Sequence, residues 1–330
     1  MAEPIESLVE ELHNQVPRIL EAAGVPGVSI ALIQDWRCAW SGGFGVTNTH
    51  KRAAMTGATV FEAYSLTKPL VACRALQLCQ SGAIQLDVPL CRYLPAQPTH
   101  SNDSRIRDVT LRMALSHTSG LADDEADGSM GFAPGTGWSY STVGYYLVDE
   151  VLRHVTGIPL APDMHDSLLA PLSMSCSSFV WQDRFADRMA QGHLADGLPQ
   201  SDRKILTADA DSLLTTAPDY AAFTARLLAG DPAVGLNAAS LAEMFSNSVP
   251  PGVGTAPDPP SWGMGWGLQE TPLGNRVWHA GGGPGSPVQN LVVACMEQCC
   301  GAVLLTNGAN GQHVCAELVR LTLGGVTPMC

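Results

Sequence analysis

Residues 61–68 read Phe61-Glu62-Ala63-Tyr64-Ser65-Leu66-Thr67-Lys68, where an apolar and aromatic lead-in gives way to a helical stretch that runs to Gln80. Positions i and i+3 share a helix face, so Lys68 is placed beside Ser65. An amine next to a serine hydroxyl can activate it as a nucleophile, which makes acyl transfer the first chemistry to weigh. Alone the tetrapeptide is a weak signal, because serine is also a preferred helix cap. Its weight comes from the rest of the chain.

Upstream, apolar side chains at 5, 8, 9, 12, 16, 19 and 20 keep a helical period over residues 5–23, with Gly24 as the stop and Pro17 as a site for a kink. Val28 to Ile33 reads as a buried strand and Cys38 to Gly45 as its hairpin partner. Downstream, the helix from Thr67 ends at Ser81-Gly82. Residues 83–210 carry few strand signals, with Leu111–Leu115 and Thr142–Val155 as helices between Gly/Pro loops. The last third turns strand-like again at Trp262–Leu268, Arg276–His279, Val288–Cys295 and Gly301–Thr306, and His313–Leu323 reads as a closing helix. Pro250–Pro260 reads as a surface loop. The pattern predicts an α+β fold: one antiparallel sheet built from both chain ends and flanked by helices, with a mainly helical inserted lobe. Residues 1–82 and 211–330 form the sheet lobe, 83–210 the helical lobe, and the cleft between them is the expected active site.

The 330 residues are 45% hydrophobic and 15% charged, with 33 glycines and 23 prolines. That is too apolar for a disordered chain and too rich in turn formers for a helical bundle. The formal charge of −13, with no basic cluster longer than Lys51-Arg52, argues against nucleic acid as a partner. The acidic start Met1-Ala2-Glu3-Pro4-Ile5-Glu6 lacks the pattern of a secretory signal, and no apolar run reaches membrane-spanning length. A soluble cytoplasmic protein is expected, without a membrane partner. Ten cysteines then read as reduced, mostly buried thiols rather than disulfides or metal ligands, because no His/Cys pairs match the spacing of Cys295, Cys299 and Cys300. Cys330 is the one singled out as prone to oxidation.

Three further stretches carry chemistry. Trp138-Ser139-Tyr140-Ser141-Thr142 precedes the helix that contains Gly144-Tyr145-Tyr146-Leu147; His279-Ala280-Gly281-Gly282-Gly283 ends a strand; and Leu115-Ser116-His117-Thr118-Ser119-Gly120-Leu121 precedes both. With Ser65 and Lys68, these resemble the serine β-lactamase and penicillin-binding-protein superfamily. Within it they look most like the class C β-lactamase, D-alanyl-D-alanine carboxypeptidase and family VIII carboxylesterase branch, whose motifs are Ser-x-x-Lys, Tyr-x-Asn and Lys-Thr-Gly or His-x-Gly. The resemblance spans about residue 15 to residue 325, with the motifs in order.

It implies Ser65 as the nucleophile, Lys68 as the activating amine and Tyr140 as the phenol that takes and returns a proton. His279 stands where penicillin-recognising members have lysine, Gly281 is the small residue of that strand motif, and the backbone N–H groups of Ser65 and Gly282 form the oxyanion hole. No metal or organic cofactor is implied. Thr142 departs from the pattern, occupying the asparagine position; its hydroxyl can still bond Lys68 but offers no amide to a substrate.

Two assignments of the base stay open. A charged Lys68 favours the phenolate of Tyr140, whose reference pKa is about 10, and Tyr140 then takes the Ser65 proton; or a neutral Lys68 takes it and Tyr140 protonates the leaving group. His279, with a reference pKa of about 6.5, is mostly neutral and able to donate one hydrogen bond, which favours neutral esters over carboxylate-bearing substrates.

Some residues read as structural. His117 braces its loop, Trp262, Trp266 and Trp278 pack strands, Asp123-Asp124-Glu125 form a solvated acidic turn, and Gly281–Gly285 lacks the spacing of a phosphate cradle. The expected function is a serine hydrolase working through an acyl-enzyme on short-chain carboxylic esters, with weak β-lactam hydrolysis alongside. The alternatives are a β-lactamase or D-amino-acid peptidase/amidase, a biosynthetic acyltransferase, and a non-catalytic binding protein on the same fold. The partner expected is a small-molecule ester or amide.

Overall fold

The computed structural model describes residues 5–96, 98, 100–123, 128–201, 204–250, 252–253, 261–283 and 285–325. Its elements, in chain order, are α1 (Ile5–Ala23), β1 (Gly27–Gln34), β2 (Arg37–Gly45), β3 (Phe61–Glu62), α2 (Thr67–Gln80), α3 (Leu111–Leu115), α4 (Thr142–Thr156) and α5 (Leu160–Met164). After these come β4 (Leu214–Thr215), α6 (Ala217–Leu228), α7 (Ala238–Met244), β5 (Gly267–Gln269), β6 (Arg276–Gly281), β7 (Gln289–Cys295), β8 (Cys300–Thr306) and α8 (Gly311–Leu323).

Six strands form one sheet in the order β2-β1-β8-β7-β6-β5, and every pairing in it is antiparallel. The N-terminal hairpin and the C-terminal strands meet where β1 pairs β8, Val28 opposite Thr306. The expected sheet built from both chain ends is what the chain forms.

Strand alternation sends side chains to two faces. Val28, Ile30 and Leu32 of β1, with Leu291, Val293, Ala302 and Leu304, bury against Leu12, Val16 and Leu20 of α1 and Val314, Leu318 and Val319 of α8. The opposite set, Ala31, Ile33, Val292, Ala294, Val303 and Leu305, joins a second core with Tyr220, Ala221 and Phe223 of α6, which continues through α2 into α3 and α4. Burying a leucine or valine side chain in such a core contributes about 1.5–3 kcal/mol. Pro17 lies inside α1, and the helix runs on to Ala23, where Gly24 at φ +65° ends it.

Several expectations need correction. Residues 262–266 are not strand: Gly263 N–H bonds the Trp266 carbonyl, Gly265 sits at φ +81°, and only Gly267–Gln269 pairs with β6. A tight turn with a left-handed glycine cannot also be extended. Helices α6 and α7, between the expected strands, were not anticipated. The cysteines are free but not mostly buried among the described residues: Cys73, Cys295 and Cys315 are buried, Cys38 is exposed, and the others are half-buried. Cys330, Asp124, Glu125 and most of the Pro250–Pro260 loop lie outside the described residues. No described helix is long and apolar enough to cross a membrane.

Candidate active site

Ser65 sits in a 3-10 turn, Tyr64–Leu66, that runs directly into α2, so Lys68 occupies the first turn of that helix. Tyr64 adopts φ +50°, a left-handed conformation that costs a side-chain-bearing residue about 1–2 kcal/mol. Surrounding bonds hold it. Thr67 Oγ1 donates to the Tyr64 carbonyl at 2.6 Å and accepts from Leu213 N–H at 3.1 Å, while Ala63 N–H bonds the Leu213 carbonyl at 2.8 Å. From below, Tyr220 Oη donates to the Leu66 carbonyl at 2.8 Å, and Asn290 Nδ2 donates to the Glu62 carbonyl at 3.0 Å. The nucleophile turn is thus anchored to α6, β7 and the segment before β4.

Lys68, which is 0% exposed, donates from Nζ to Ser65 Oγ at 2.9 Å and to Asp211 Oδ1 at 2.9 Å. Ser65 Oγ donates to the same Asp211 oxygen at 3.1 Å, closing a triangle of hydroxyl, ammonium and carboxylate. A buried ammonium needs such a partner. Asp211 was not among the residues read from the sequence. It is fixed by an Asx turn, Asp211 N–H to Asp209 Oδ1 at 2.8 Å, next to Ser212, whose hydroxyl bonds the carbonyls of Phe179 and Asp209.

Tyr140 arrives on the loop before α4. Ser141 caps that helix by accepting Gly144 N–H, and its own N–H donates to His117 Nδ1 at 3.1 Å. The His117 ring stacks on Tyr140 with centroids 4.2 Å apart, and Lys68 Nζ lies 5.5 Å from the Tyr140 centroid. This brings Ser65, Lys68 and Tyr140 together around the Lys68 ammonium. Thr142 does not take the contact expected of it: its hydroxyl and its N–H both donate to Asp123 Oδ1 at 3.0 Å, and Lys68 bonds Ser65 and Asp211 instead. The carboxylate at Asp123 is the stronger acceptor for a hydroxyl at the start of a helix. Asp123 is solvent-exposed, as expected of that turn, and also holds the start of α4.

His279, on β6, is 1% exposed and lies within an aromatic group with Tyr140 at 6.1 Å and Trp262 at 5.5 Å between centroids. Burial first, and the charge of Lys68 second, push its pKa down to about 3 against the pull of its bond to the Ala280 carbonyl. The imidazole is neutral, as expected, but its polarity is reversed. Nδ1 faces the Ala280 carbonyl at 2.7 Å, so it carries the proton, and the buried Nε2 is left as an acceptor without a partner. Beyond it, Gly281 pairs with Asn290 and touches the nucleophile turn so closely that a Cβ would clash with the Ala63 carbonyl oxygen. Gly282, at φ +83°, likewise has no room for a Cβ beside the Val288 carbonyl. Gly281 lets the strand end lie against residues 63–66, and Gly282 lets it turn closely past Val288.

Among the described residues no group of His, Cys, Asp or Glu side chains converges as a metal site. A separate cavity of about 530 Å³, lined by Leu94, Pro95, His100, Glu150, Arg153 and His154, shares no residue with this cleft.

The beta-lactamase family model matches residues 7–319. The chain is 31% identical over 126 residues to the human serine beta-lactamase-like protein LACTB, mitochondrial, a match covering 38% of this chain and 22% of that protein. It is 29% identical over 167 residues to Esterase EstB of Burkholderia gladioli, covering 41% of this chain and 42% of the esterase. The chain thus spans about a fifth of the length of the mitochondrial protein and under half of the esterase. In fold it is similar to the octameric penicillin-binding protein homologue from Pyrococcus abyssi, with a TM-score of 0.82 at 21% identity over 96% of this chain and 78% of that one.

Proposed function

Because the chain belongs to the beta-lactamase family, we propose that it is a serine hydrolase that forms an acyl-enzyme on Ser65 and acts on neutral, short-chain carboxylic esters. One observation carries the reading: the buried Lys68 ammonium lies 2.9 Å from Ser65 Oγ in a cleft whose histidine, His279, is uncharged. The similarity to Esterase EstB agrees with it.

In this reading Lys68, paired with Asp211, stays a cation and is not the acylation base. Its charge, 5.5 Å from the Tyr140 ring, stabilises negative charge developing on the phenol oxygen. Ser65 Oγ attacks the ester carbonyl and Tyr140 receives the serine proton. The carbonyl oxygen becomes an oxyanion held by the N–H groups of Ser65 and Gly282, a kind of contact worth about 3–4 kcal/mol per donor. Collapse expels the alkoxide, which takes the proton back from Tyr140. Water then attacks the acyl-enzyme by the same route and releases the acid.

The Lys68 charge beside Ser65 is paired with Asp211, and Thr142 offers no amide to a substrate amide; both features favour esters over β-lactams and peptides. Intact-mass measurement after incubation with a panel of p-nitrophenyl esters and β-lactams tests the reading. The expected result is a transient acyl adduct from the esters that disappears in Ser65→Ala. An adduct formed from β-lactams alone would replace the esterase reading with a β-lactamase, and ester turnover unchanged in Ser65→Ala would end it.

A further inference from the structure

We propose that Asp211 is a specificity-determining residue of this cleft, a carboxylate fixed against the nucleophile that excludes acyl donors carrying a negative charge near the scissile carbonyl. The inference deepens the Ser65 acyl-enzyme reading and rests on it.

The argument is one of charge and place. Asp211 Oδ1 is within 3.1 Å of Ser65 Oγ and 2.9 Å of Lys68 Nζ, so the acyl carbon of any bound donor comes within a few ångströms of a carboxylate. The ammonium of the pair is 0% exposed and the carboxylate side chain 24% exposed, so the negative end is the accessible one. Lys68 is the cation at the nucleophile, and the ion pair cancels its charge. The titratable ring beside Tyr140, His279, does not offset Asp211. His279 is held neutral, with a bare nitrogen lone pair that repels an anion. Thr142, two residues from Tyr140, is bound to another carboxylate, Asp123. An anionic donor therefore meets the exposed carboxylate end of the ion pair before its buried ammonium. Neutral donors meet no such barrier, and a donor with a quaternary ammonium group is attracted.

The Asx turn at Asp209 and the anchoring of Ser212 hold this carboxylate in place before substrate arrives.

The test uses three four-carbon acyl donors of one leaving group: p-nitrophenyl butyrate, the p-nitrophenyl half-ester of succinic acid, and p-nitrophenyl 4-(trimethylammonio)butyrate, each corrected for spontaneous hydrolysis. In the wild-type protein kcat/KM is expected to rank ammonium at or above butyrate, and butyrate about tenfold or more above the succinate half-ester. In Asp211→Asn all three values fall, while the butyrate-to-succinate ratio shrinks about tenfold. Asp211→Glu, which keeps the charge, preserves the order. Ratios within one preparation do not depend on how much of it is folded, so a partly unfolded variant still reads out. An unchanged ratio in Asp211→Asn, or a wild-type preference for the succinate half-ester, overturns the inference while leaving the esterase reading intact. A wild-type protein inert toward all three overturns both, and the absence of any Ser65 adduct identifies that case.

Discussion

The imidazole of His117 stacks on the ring of Tyr140, with centroids 4.2 Å apart and planes 29° from parallel. His117 is also bonded through Nδ1 to Ser141 N–H, and through its backbone carbonyl to Ser139 N–H, so it grips the residue on either side of the phenol. Burial holds its pKa well below the ordinary histidine value, with neighbouring His279 and then the Lys68 ammonium opposing its protonation further. It stays neutral and acts as a rigid support for Tyr140, at the cost of its own left-handed φ of +59°.

His117→Ala should therefore do two things. Loss of the ring and of the acceptor for Ser141 N–H is expected to cost about 2–4 kcal/mol in urea unfolding. Ester kcat should fall at least tenfold with KM little changed, since what is lost is the placement of the phenol. An unaltered kcat in a folded variant would remove His117 from the support of Tyr140.

The Lys68–Asp211 pair predicts non-additive stability. Lys68→Met leaves a partly buried carboxylate alone, and with Asp211 at 24% exposure the penalty is expected near 2 kcal/mol rather than the larger values of fully buried pairs. The double variant Lys68→Met/Asp211→Asn should recover about half of that loss, because it removes the stranded charge. Additive losses in a double-mutant cycle would mean that the two side chains do not interact as drawn.

Much of this arrangement could be read ahead of the coordinates, and the reasons it could are local. The helical period of residues 5–23 and 67–80 and the apolar runs of β1, β7 and β8 are carried by neighbours in sequence, and Ser65 and Lys68 share one helix turn. Asp211 left no comparable mark, because its partners are 143 and 146 residues away and a lone carboxylate in a loop has no period. The reversed polarity of His279 depends on which nitrogen meets Ala280, which composition and spacing do not specify. Helix α6 was missed because its alanines blur the contrast between faces. Its start signal was nonetheless present, with Thr216 accepting from Asp219 N–H and Pro218 in the first turn.

His279 also predicts how stability depends on pH. Its folded pKa, about 3, lies below the unfolded value of about 6.5, so on acidification the unfolded chain binds a proton that the folded chain refuses. The stabilisation is complete above pH 6.5 and is lost as pH falls toward 3. Between pH 7.5 and pH 5 this one residue should remove about 2 kcal/mol. Asp149, raised to about 6 by burial, works in the opposite sense over an overlapping window, so the comparison must be between proteins. His279→Gln, which cannot titrate, should lose about 2 kcal/mol less than wild type over that interval in urea titrations. Equal losses would mean that the folded histidine titrates normally.

Gly281 offers the sharpest test of the strand end. Its place requires the absence of a Cβ, because one would strike the Ala63 carbonyl oxygen two residues before the nucleophile. Gly281→Ala must push β6 away from the turn, and with it the backbone of Gly282 that the proposed oxyanion contact depends on. The backbone conformation of Gly281 itself is ordinary strand, so the alanine is not opposed by φ, only by the contact. Loss of one oxyanion donor corresponds to a fall of about 10²–10³ in kcat. KM for p-nitrophenyl butyrate should change less, since ground-state binding does not use the developing charge. Gly283→Ala, a position with open space around its would-be Cβ, serves as the matched control and should retain kcat within about threefold. A Gly281→Ala variant with wild-type kcat would separate the strand end from the oxyanion site and require another donor to be found.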